Sequence, residues 1–174
     1  MNVFILNAGR SGSTTFIKAC EHISNFSAGH ESRLHMAGNA RLSYPQNHIE
    51  ADNRLSWFLG RLDRIYGDDA FYVHLTRNES DTVESFLKRG HFGIIKSWRE
   101  GVYLDADNDP RLLVEDYVGT VNENIRFFLR NKSRQMHFRL EHAKKDFSGF
   151  WQMIGAEGNL ENALAEWDIA YNRS

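Results

Sequence analysis

The chain has 174 residues, of which 41% are hydrophobic and 25% are charged, and its formal net charge is −2. This is the composition of a globular protein of about one domain, so we expect a single domain over residues 1–174. A charge so near zero gives no reason to expect binding to nucleic acid or to a membrane. The single cysteine, Cys20, excludes an intrachain disulfide. With no signal-peptide pattern and no long apolar run, we expect a cytoplasmic protein.

The first element is a buried strand, predicted over residues 2–7 by a short apolar run. The stretch Asn7–Phe16, rich in Gly, Ser and Thr, follows it, and apolar residues at helical spacing then predict a helix over residues 13–23. Small residues let the backbone approach a ligand closely, and N–H groups at a helix start attract negative charge. The stretch therefore predicts a phosphate- or sulfate-binding loop.

The next part of the chain alternates between regular and irregular patterns. Residues 26–29 favour a short strand, and residues 33–50 show no clear period, so we expect an irregular loop there. Asp52 or Asn53 can cap a following helix. Residues 70–76 are dense in aromatic and β-branched side chains and predict a strand.

The last part continues this alternation. A helix is predicted to start at residues 78–80, residues 91–109 are mixed and end in an acidic loop, and Asp109 with Pro110 marks a helix running to about residue 131. A strand over residues 135–140 and helices around residues 147–154 and 160–170 follow. Strands alternating with helices predict a three-layer α/β/α domain with a mainly parallel sheet.

The loop differs from the common nucleotide-binding loops. A triphosphate-binding P-loop has Lys after its last Gly, but here Ser13 follows Gly12. The dinucleotide fingerprint needs a G-x-G start, which Gly9 and Gly12 do not provide. An anion other than magnesium-bound triphosphate fits this loop, and a tight strand-to-helix turn with no ligand is the alternative.

The segment Gly9-Arg10-Ser11-Gly12-Ser13-Thr14 resembles the 5′-phosphosulfate loop of the sulfotransferases that use 3′-phosphoadenosine 5′-phosphosulfate (PAPS). In that family the loop reads roughly K/R-S-G-T-T, and Ser13 here replaces the first Thr with another hydroxyl. The resemblance implies a P-loop-kinase-like sulfotransferase fold. It also implies that PAPS is the co-substrate, held here by the side chains and amides of Arg10, Ser11, Gly12, Ser13, Thr14 and Thr15.

A second segment resembles the 3′-phosphate motif of the same family. That motif begins with Arg at a strand end and has Ser eight residues later, as do Arg77 and Ser85, with Asp81 where the family often has Asp. The spacing is physically reasonable, because Arg77 would lie at the carboxyl edge of the sheet, where open α/β sheets bind ligands. Arg supplies a charge-assisted fork and Ser a directional hydroxyl to one phosphate. Alone, Arg77 is equally well explained as a surface arginine at a helix start, and Ser85 is better explained as an ordinary helix serine.

The candidate base follows the second predicted strand. Gly29-His30-Glu31-Ser32-Arg33 resembles the G-E-E-T-R stretch of protein-tyrosine sulfotransferases, which implies Glu31 as catalytic base and Arg33 as a substrate-binding arginine. His30 is the rival base, because a neutral imidazole needs little tuning near pH 7. Arg10 is expected to stabilise charge on the transferring sulfonate.

The histidines His30 and His35 are five residues apart, which on a helix places them off a common face, so we expect no metal.

Arg139-Leu140-Glu141 resembles a stretch with a structural role in the family. The expected reaction is sulfonate transfer to the hydroxyl of a sugar or small alcohol, with residues 33–50 and 91–109 lining the acceptor site. A kinase-like phosphotransferase and a non-catalytic nucleotide-binding module are the alternatives. The larger aromatic residues are expected in the core: Trp57, Phe58, Phe127, Phe128, Trp151 and Trp167.

Overall fold

The computed structural model describes residues 1–90, 93–104, 107–169 and 171. Its strands are β1 (Val3–Leu6), β2 (Ser27–His30), β3 (His48–Ala51), β4 (Phe71–Thr76) and β5 (Gln135–Arg139). Its α-helices are α1 (Ser13–Cys20), α2 (Leu59–Tyr66), α3 (Glu79–Arg89), α4 (Ile94–Ser97), α5 (Pro110–Leu129), α6 (Ala143–Ile154) and α7 (Leu160–Ala165). Short 3₁₀ helices lie at Gly38–Leu42, Asn53–Trp57, Leu140–His142 and Glu166–Asp168, and a π-helical turn at Trp98–Tyr103.

The five strands form one sheet in the order β2-β3-β1-β4-β5, and every pair is parallel. β1 is central, with Val3 opposite Ile49 on one side and Phe71 on the other. The chain runs outward from β1 to one edge and then crosses to the other side. The loop after β1 therefore begins at the topological switch point, where open α/β sheets form a ligand crevice.

Alternating side chains of β1 divide the core into two layers. Val3 and Ile5 pack with α1, α6 and α7, whereas Phe4 and Leu6 pack with α2, α3 and α5. All four side chains are fully buried. Successive strand residues point to opposite faces, so a strand with both faces covered is apolar throughout. The predicted three-layer architecture with a parallel sheet is confirmed.

The prediction of an irregular loop over residues 33–50 was wrong in part. It contains a 3₁₀ helix and most of β3, whose polar residues His48 and Glu50 are buried together. Buried polar residues break the apolar pattern by which a strand is recognised, which explains the error. The helix predicted from Asp52 is likewise a 3₁₀ helix followed by α2, with the Asp52 carboxylate accepting from Arg54 N–H.

Other boundaries differ by a few residues. α1 ends at Cys20 rather than residue 23, and the final predicted helix is α7 followed by a short 3₁₀ turn. Among the aromatic residues expected in the core, Trp57 and Phe127 are 44% and 64% exposed. The segment 91–109, predicted to be mixed and to end in an acidic loop, contains α4 and the π-helical turn. Its residues 91–92 and 105–106, including Asp105 of the predicted loop, lie outside the described residues.

Candidate functional site

The loop between β1 and α1 has an unusual backbone. Gly9, Arg10 and Gly12 have φ values of 99°, 57° and 91°, and Gly12 is the N-cap of α1. Three of the four residues 9–12 thus have positive φ, and turns of this kind can gather successive N–H groups around an anion. Since Gly12 has no side chain, it cannot cap the helix, and the first N–H groups of α1 remain suited to a bound anion.

Side-chain hydrogen bonds fix the backbone at the start of the loop. Ser56 Oγ donates to Asn7 O at 3.1 Å, and the buried Tyr117 hydroxyl donates to Ala8 O at 2.9 Å. Asn7 Oδ1 accepts from Gly9 N–H at 2.9 Å. These bonds fix the carbonyl oxygens behind the loop and leave its other face for a ligand.

Residues 139–141 connect this loop to the turn after β4. Leu140 packs so closely on Gly12 that a Cβ there would lie 2.7 Å from Leu140 Cδ1. Glu141 Oε1 accepts from Asn78 N–H at 2.6 Å. Burial raises the pKa of Glu141, but the Asn78 bond and nearby arginines outweigh it and hold the pKa below its usual value. The carboxylate thus ties the Arg77 turn to the loop.

Both predicted anion motifs line one cavity of about 1050 Å³. Its walls include most of the predicted site residues: Arg10, Gly12, Ser13, Thr14, Thr15, His30, Glu31, Arg77 and Ser85. The remainder comes mainly from α3, the start of α4 and the C-terminal segment, with Asn53, Arg54, Asp81, Glu84, Phe86, Lys88, Arg89, Ile94, Leu140, Trp167, Ile169 and Tyr171. The two motifs are far apart in sequence and are brought together by the parallel strands β1 and β4.

One end of the cavity is strongly cationic. Arg10 Nε donates to Ser85 Oγ at 2.8 Å, so the side chain of the first motif reaches the second. Burial and the neighbouring guanidinium groups of Arg89 and Arg77 lower the pKa of Arg10 below its usual value. Arg77 Nη2 also lies 3.8 Å from Asp81 Oδ2. A bound phosphate would stabilise the Arg10 guanidinium beside its two cationic neighbours.

The candidate bases lie at another part of the cavity wall. His30 Nε2 is 3.0 Å from Ser13 Oγ, which places the imidazole directly on the anion loop. Glu31 Oε1 accepts from Arg54 Nη1 at 3.0 Å. Glu31 has φ 52°, and its N–H donates to Ala51 O at 2.9 Å. Both side chains are partly open to the cavity and could accept a proton there.

A buried polar chain supports the turn that carries Glu31. Glu50, fully buried in β3, accepts from Ser32 N–H at 2.7 Å and from Ser32 Oγ at 2.6 Å. His48 Nε2 lies 2.9 Å from the same carboxylate, and His48 Nδ1 lies 2.8 Å from Ser27 Oγ. These bonds satisfy the buried carboxylate and fix the left-handed backbone of Glu31.

Two predicted site residues do not line the cavity. The Arg33 guanidinium donates to Ala40 O at 3.3 Å and lies 5.3 Å from the centre of the Tyr44 ring. Ser11 is 3% exposed, and its Oγ has no hydrogen-bond partner among the described residues. A substrate-binding role for Arg33 stays a prediction to which this geometry adds no support.

Several lining residues were missed from the sequence. Arg54 follows β3, so recognising that strand would have placed it near the carboxyl edge of the sheet. Lys88 and Arg89 end α3, where basic residues are common for helix-dipole reasons alone and give no separate signal. Tyr171 and Trp167 reach the cavity only through the tertiary fold. The residues expected from 33–50 are absent from the described lining, whereas Gly93 and Ile94 represent the 91–109 segment.

No protein-family model matches the sequence, and no curated protein sequence matches it. Among solved structures, the chain is similar to the sulfotransferase domain from the curacin biosynthetic pathway, with a TM-score of 0.70 and 16% identity over 97% of this chain and 78% of that one. The chain has the sulfotransferase fold.

A sulfotransferase from Alicyclobacillus acidocaldarius is also similar, with a TM-score of 0.55 and 13% identity over 92% of this chain and 84% of that one. At these identities the likeness shows the fold and does not extend to the function of individual residues. Across the described part of this sulfotransferase fold, no cluster of three His, Cys, Asp or Glu side chains has a metal-binding arrangement. Within the same residues, none of the helices is long and apolar enough to cross a membrane.

Proposed function

We propose that the protein is a sulfotransferase that moves a sulfonate group from PAPS to an acceptor hydroxyl. The observation that carries this proposal is the direct contact between the two anion motifs, Arg10 Nε to Ser85 Oγ at 2.8 Å, within one cavity of about 1050 Å³. A nucleotide with phosphates at both its 3′ and 5′ positions needs two such anion sites within the length of one ribose. Triphosphate nucleotides need only one, together with the lysine that Ser13 replaces.

The residues present fit each part of the nucleotide. The loop and the start of α1 would hold the 5′-phosphosulfate through backbone N–H groups and the hydroxyls of residues 13–15. Arg77 and Ser85 would hold the 3′-phosphate, with Arg89 as a third cationic neighbour. Trp167 and Tyr171 offer aromatic surface on the same cavity for the purine. The contact of Arg10 with Ser85 supports a role for Arg10 at the nucleotide phosphates, beside the role at the sulfonate predicted for it.

In the proposed reaction the acceptor oxygen attacks sulfur in line and forms the new O–S bond. The S–O bond to the 5′-phosphate breaks, and the nucleotide leaves as adenosine 3′,5′-bisphosphate. Protein groups position the reactants, stabilise the leaving phosphate and remove one proton. His30 on Ser13, or Glu31 beside Arg54, accepts the acceptor's proton in this scheme. The acceptor that we expect is a sugar or small alcohol.

Isothermal titration calorimetry tests this proposal without knowledge of the acceptor. We expect the wild type to bind adenosine 3′,5′-bisphosphate more tightly than AMP. Arg77→Ala should weaken the bisphosphate by roughly ten- to a hundredfold, the value of one charge-assisted phosphate contact, and should leave AMP nearly unchanged.

Arg64→Ala is the matched control, because Arg64 is exposed on α2 and does not line the cavity. Absence of bisphosphate binding to the wild type would overturn the proposal. If Arg77→Ala lowered the affinity for both nucleotides equally, the proposed role of Arg77 at the 3′-phosphate would be wrong.

A further inference from the structure

An exposed aromatic cluster stands beside the cavity and is not explained by nucleotide binding. The rings of Trp57 and Trp98 are 6.3 Å apart, and those of Trp98 and Tyr103 are 5.5 Å apart, both edge-to-face. Trp57 and Tyr103 are each 44% exposed, and the adjoining Leu104 is 82% exposed. Exposed apolar patches next to a cavity are common places for ligand binding.

The cluster adjoins two residues of the cavity wall, Arg54 and Ile94. Residues three apart on a 3₁₀ helix share a face, so Trp57 lies on the face of Arg54, which lines the cavity and bonds Glu31. Ile94 also lines the cavity, and Trp98 follows it by one helical turn. Since the two indole rings are in contact, both tryptophans lie next to the wall to which Arg54 and Ile94 belong.

The exposed polar groups of this cluster are engaged, and two polar atoms without a hydrogen-bond partner among the described residues, Trp98 Nε1 and Arg99 Nε, are buried. The Tyr103 hydroxyl donates to Asp116, and Arg99 Nη2 donates to Glu100 Oε1 at 2.8 Å. Few polar groups are left to recognise a ring of hydroxyls, whereas edge-to-face indoles and the exposed Leu104 offer flat apolar surface. The chemistry favours an uncharged aromatic or alicyclic body over a sugar.

We propose that Trp57, Trp98, Tyr103 and Leu104 bind the apolar body of the acceptor, whose hydroxyl then reaches the Glu31 side of the cavity. This inference rests on the proposed function, because only a transferase has an acceptor. It narrows the expected acceptor class from a sugar or small alcohol to an alcohol or phenol on an aromatic or alicyclic frame. The surface itself is a ligand site of stated chemistry whether or not transfer occurs.

Two primary alcohols test the inference, 3-phenylpropan-1-ol and methyl β-glucoside. The first measurement is binding alone, read from the indole N–H resonances of Trp57 and Trp98 by NMR and assigned with Trp57→Phe and Trp98→Phe. We expect 3-phenylpropan-1-ol to shift both resonances and the glucoside to shift neither. The second is release of adenosine 3′,5′-bisphosphate from PAPS with each alcohol. We expect kcat/KM to be on the order of tenfold higher for the aromatic alcohol, the value of one buried aromatic contact.

Trp57→Ala should lower kcat/KM for 3-phenylpropan-1-ol about tenfold, mainly through KM, with affinity for adenosine 3′,5′-bisphosphate unchanged. Leu104→Asn is the second variant, because Leu104 is almost fully exposed and its φ of 54° suits Asn, so folding is preserved. Phe127→Ala is the matched control, an exposed aromatic on α5 that does not line the cavity.

Preference for the glucoside, unchanged indole resonances, or a concentration-dependent dimer that Trp57→Ala dissociates would each overturn the inference. Failure to bind adenosine 3′,5′-bisphosphate would overturn the proposed function instead. In that case the NMR titration still decides whether this surface binds aromatic alcohols.

Discussion

Glu31 and His30 are adjacent in the chain, yet different partners hold their side chains. His30 contacts Ser13 of the anion loop, whereas Glu31 is paired with Arg54 and carried on a turn fixed by Glu50. Because a short strand was predicted before them, both residues could be predicted from the sequence to lie near the anion loop. The sequence does not show which of them is the base, because the contacts with Arg54 and Ser13 are made across the fold.

Substitution of each candidate separates their roles. If Glu31 is the base, Glu31→Gln should lower kcat by about 10²- to 10⁴-fold while nucleotide affinity stays within about twofold, because the side-chain size is kept and only proton acceptance is lost. If His30 is the base, His30→Gln gives that result instead. Steady-state kinetics with titration of adenosine 3′,5′-bisphosphate measures both quantities, and full activity in both variants would exclude either residue as base.

At the scale of elements, the sequence predicted best where the pattern is local. The strand before Arg77 and the Asp109-Pro110 helix start were found within a residue or two, because apolar runs and capping residues report directly on their own neighbours. β3 was missed because His48 and Glu50 are stabilised by each other and by serines from β2 and the following turn. Such compensation cannot be seen in a single stretch of sequence.

The Gly12–Leu140 contact gives an element-scale prediction. Gly12→Ala places a Cβ 2.7 Å from Leu140 Cδ1 in a backbone with φ of 91°, so the variant should lose about 1 to 3 kcal/mol of unfolding free energy. It should also bind adenosine 3′,5′-bisphosphate more weakly, since the loop must shift. Urea unfolding and calorimetry measure the two effects.

Gly119→Ala in α5 is a control that should change the unfolding free energy in the opposite direction. A Cβ at Gly119 meets nothing within 4 Å, so replacing glycine in a helix interior should stabilise the protein by about 0.5 to 1 kcal/mol. Equal stability of the Gly12→Ala variant and the wild type would contradict the close packing of Leu140 on the loop.

At the scale of the whole molecule, His74 couples stability to pH. It lies in β4, 4% exposed, with Nε2 3.1 Å from Asn122 Oδ1 of α5 and its ring 5.5 Å from that of His137. Burial lowers the pKa of His74 to about 4, with smaller contributions from His137 and Arg126. In the unfolded chain the pKa returns to its ordinary value of about 6.5.

The unfolded state therefore binds the proton first as pH falls, and stability is lost between about pH 6.5 and 4. We expect the wild type to lose about 2 kcal/mol of unfolding free energy from this residue between pH 7 and 5. His74→Gln should show a correspondingly smaller loss in urea unfolding at the two pH values. The same pH dependence in both proteins would contradict a buried neutral His74.

The parallel sheet explains why the two anion motifs lie together. β1 and β4 are parallel neighbours, so the motifs that follow them lie at the same edge of the sheet. The sequence predicted the motifs and the sheet, but their direct contact through Arg10 and Ser85 required the fold. A crystal structure with adenosine 3′,5′-bisphosphate tests that account most directly. We expect the 5′-phosphate at the start of α1 and the 3′-phosphate between Arg77 and Ser85. A bisphosphate bound with neither phosphate on these residues would contradict the account.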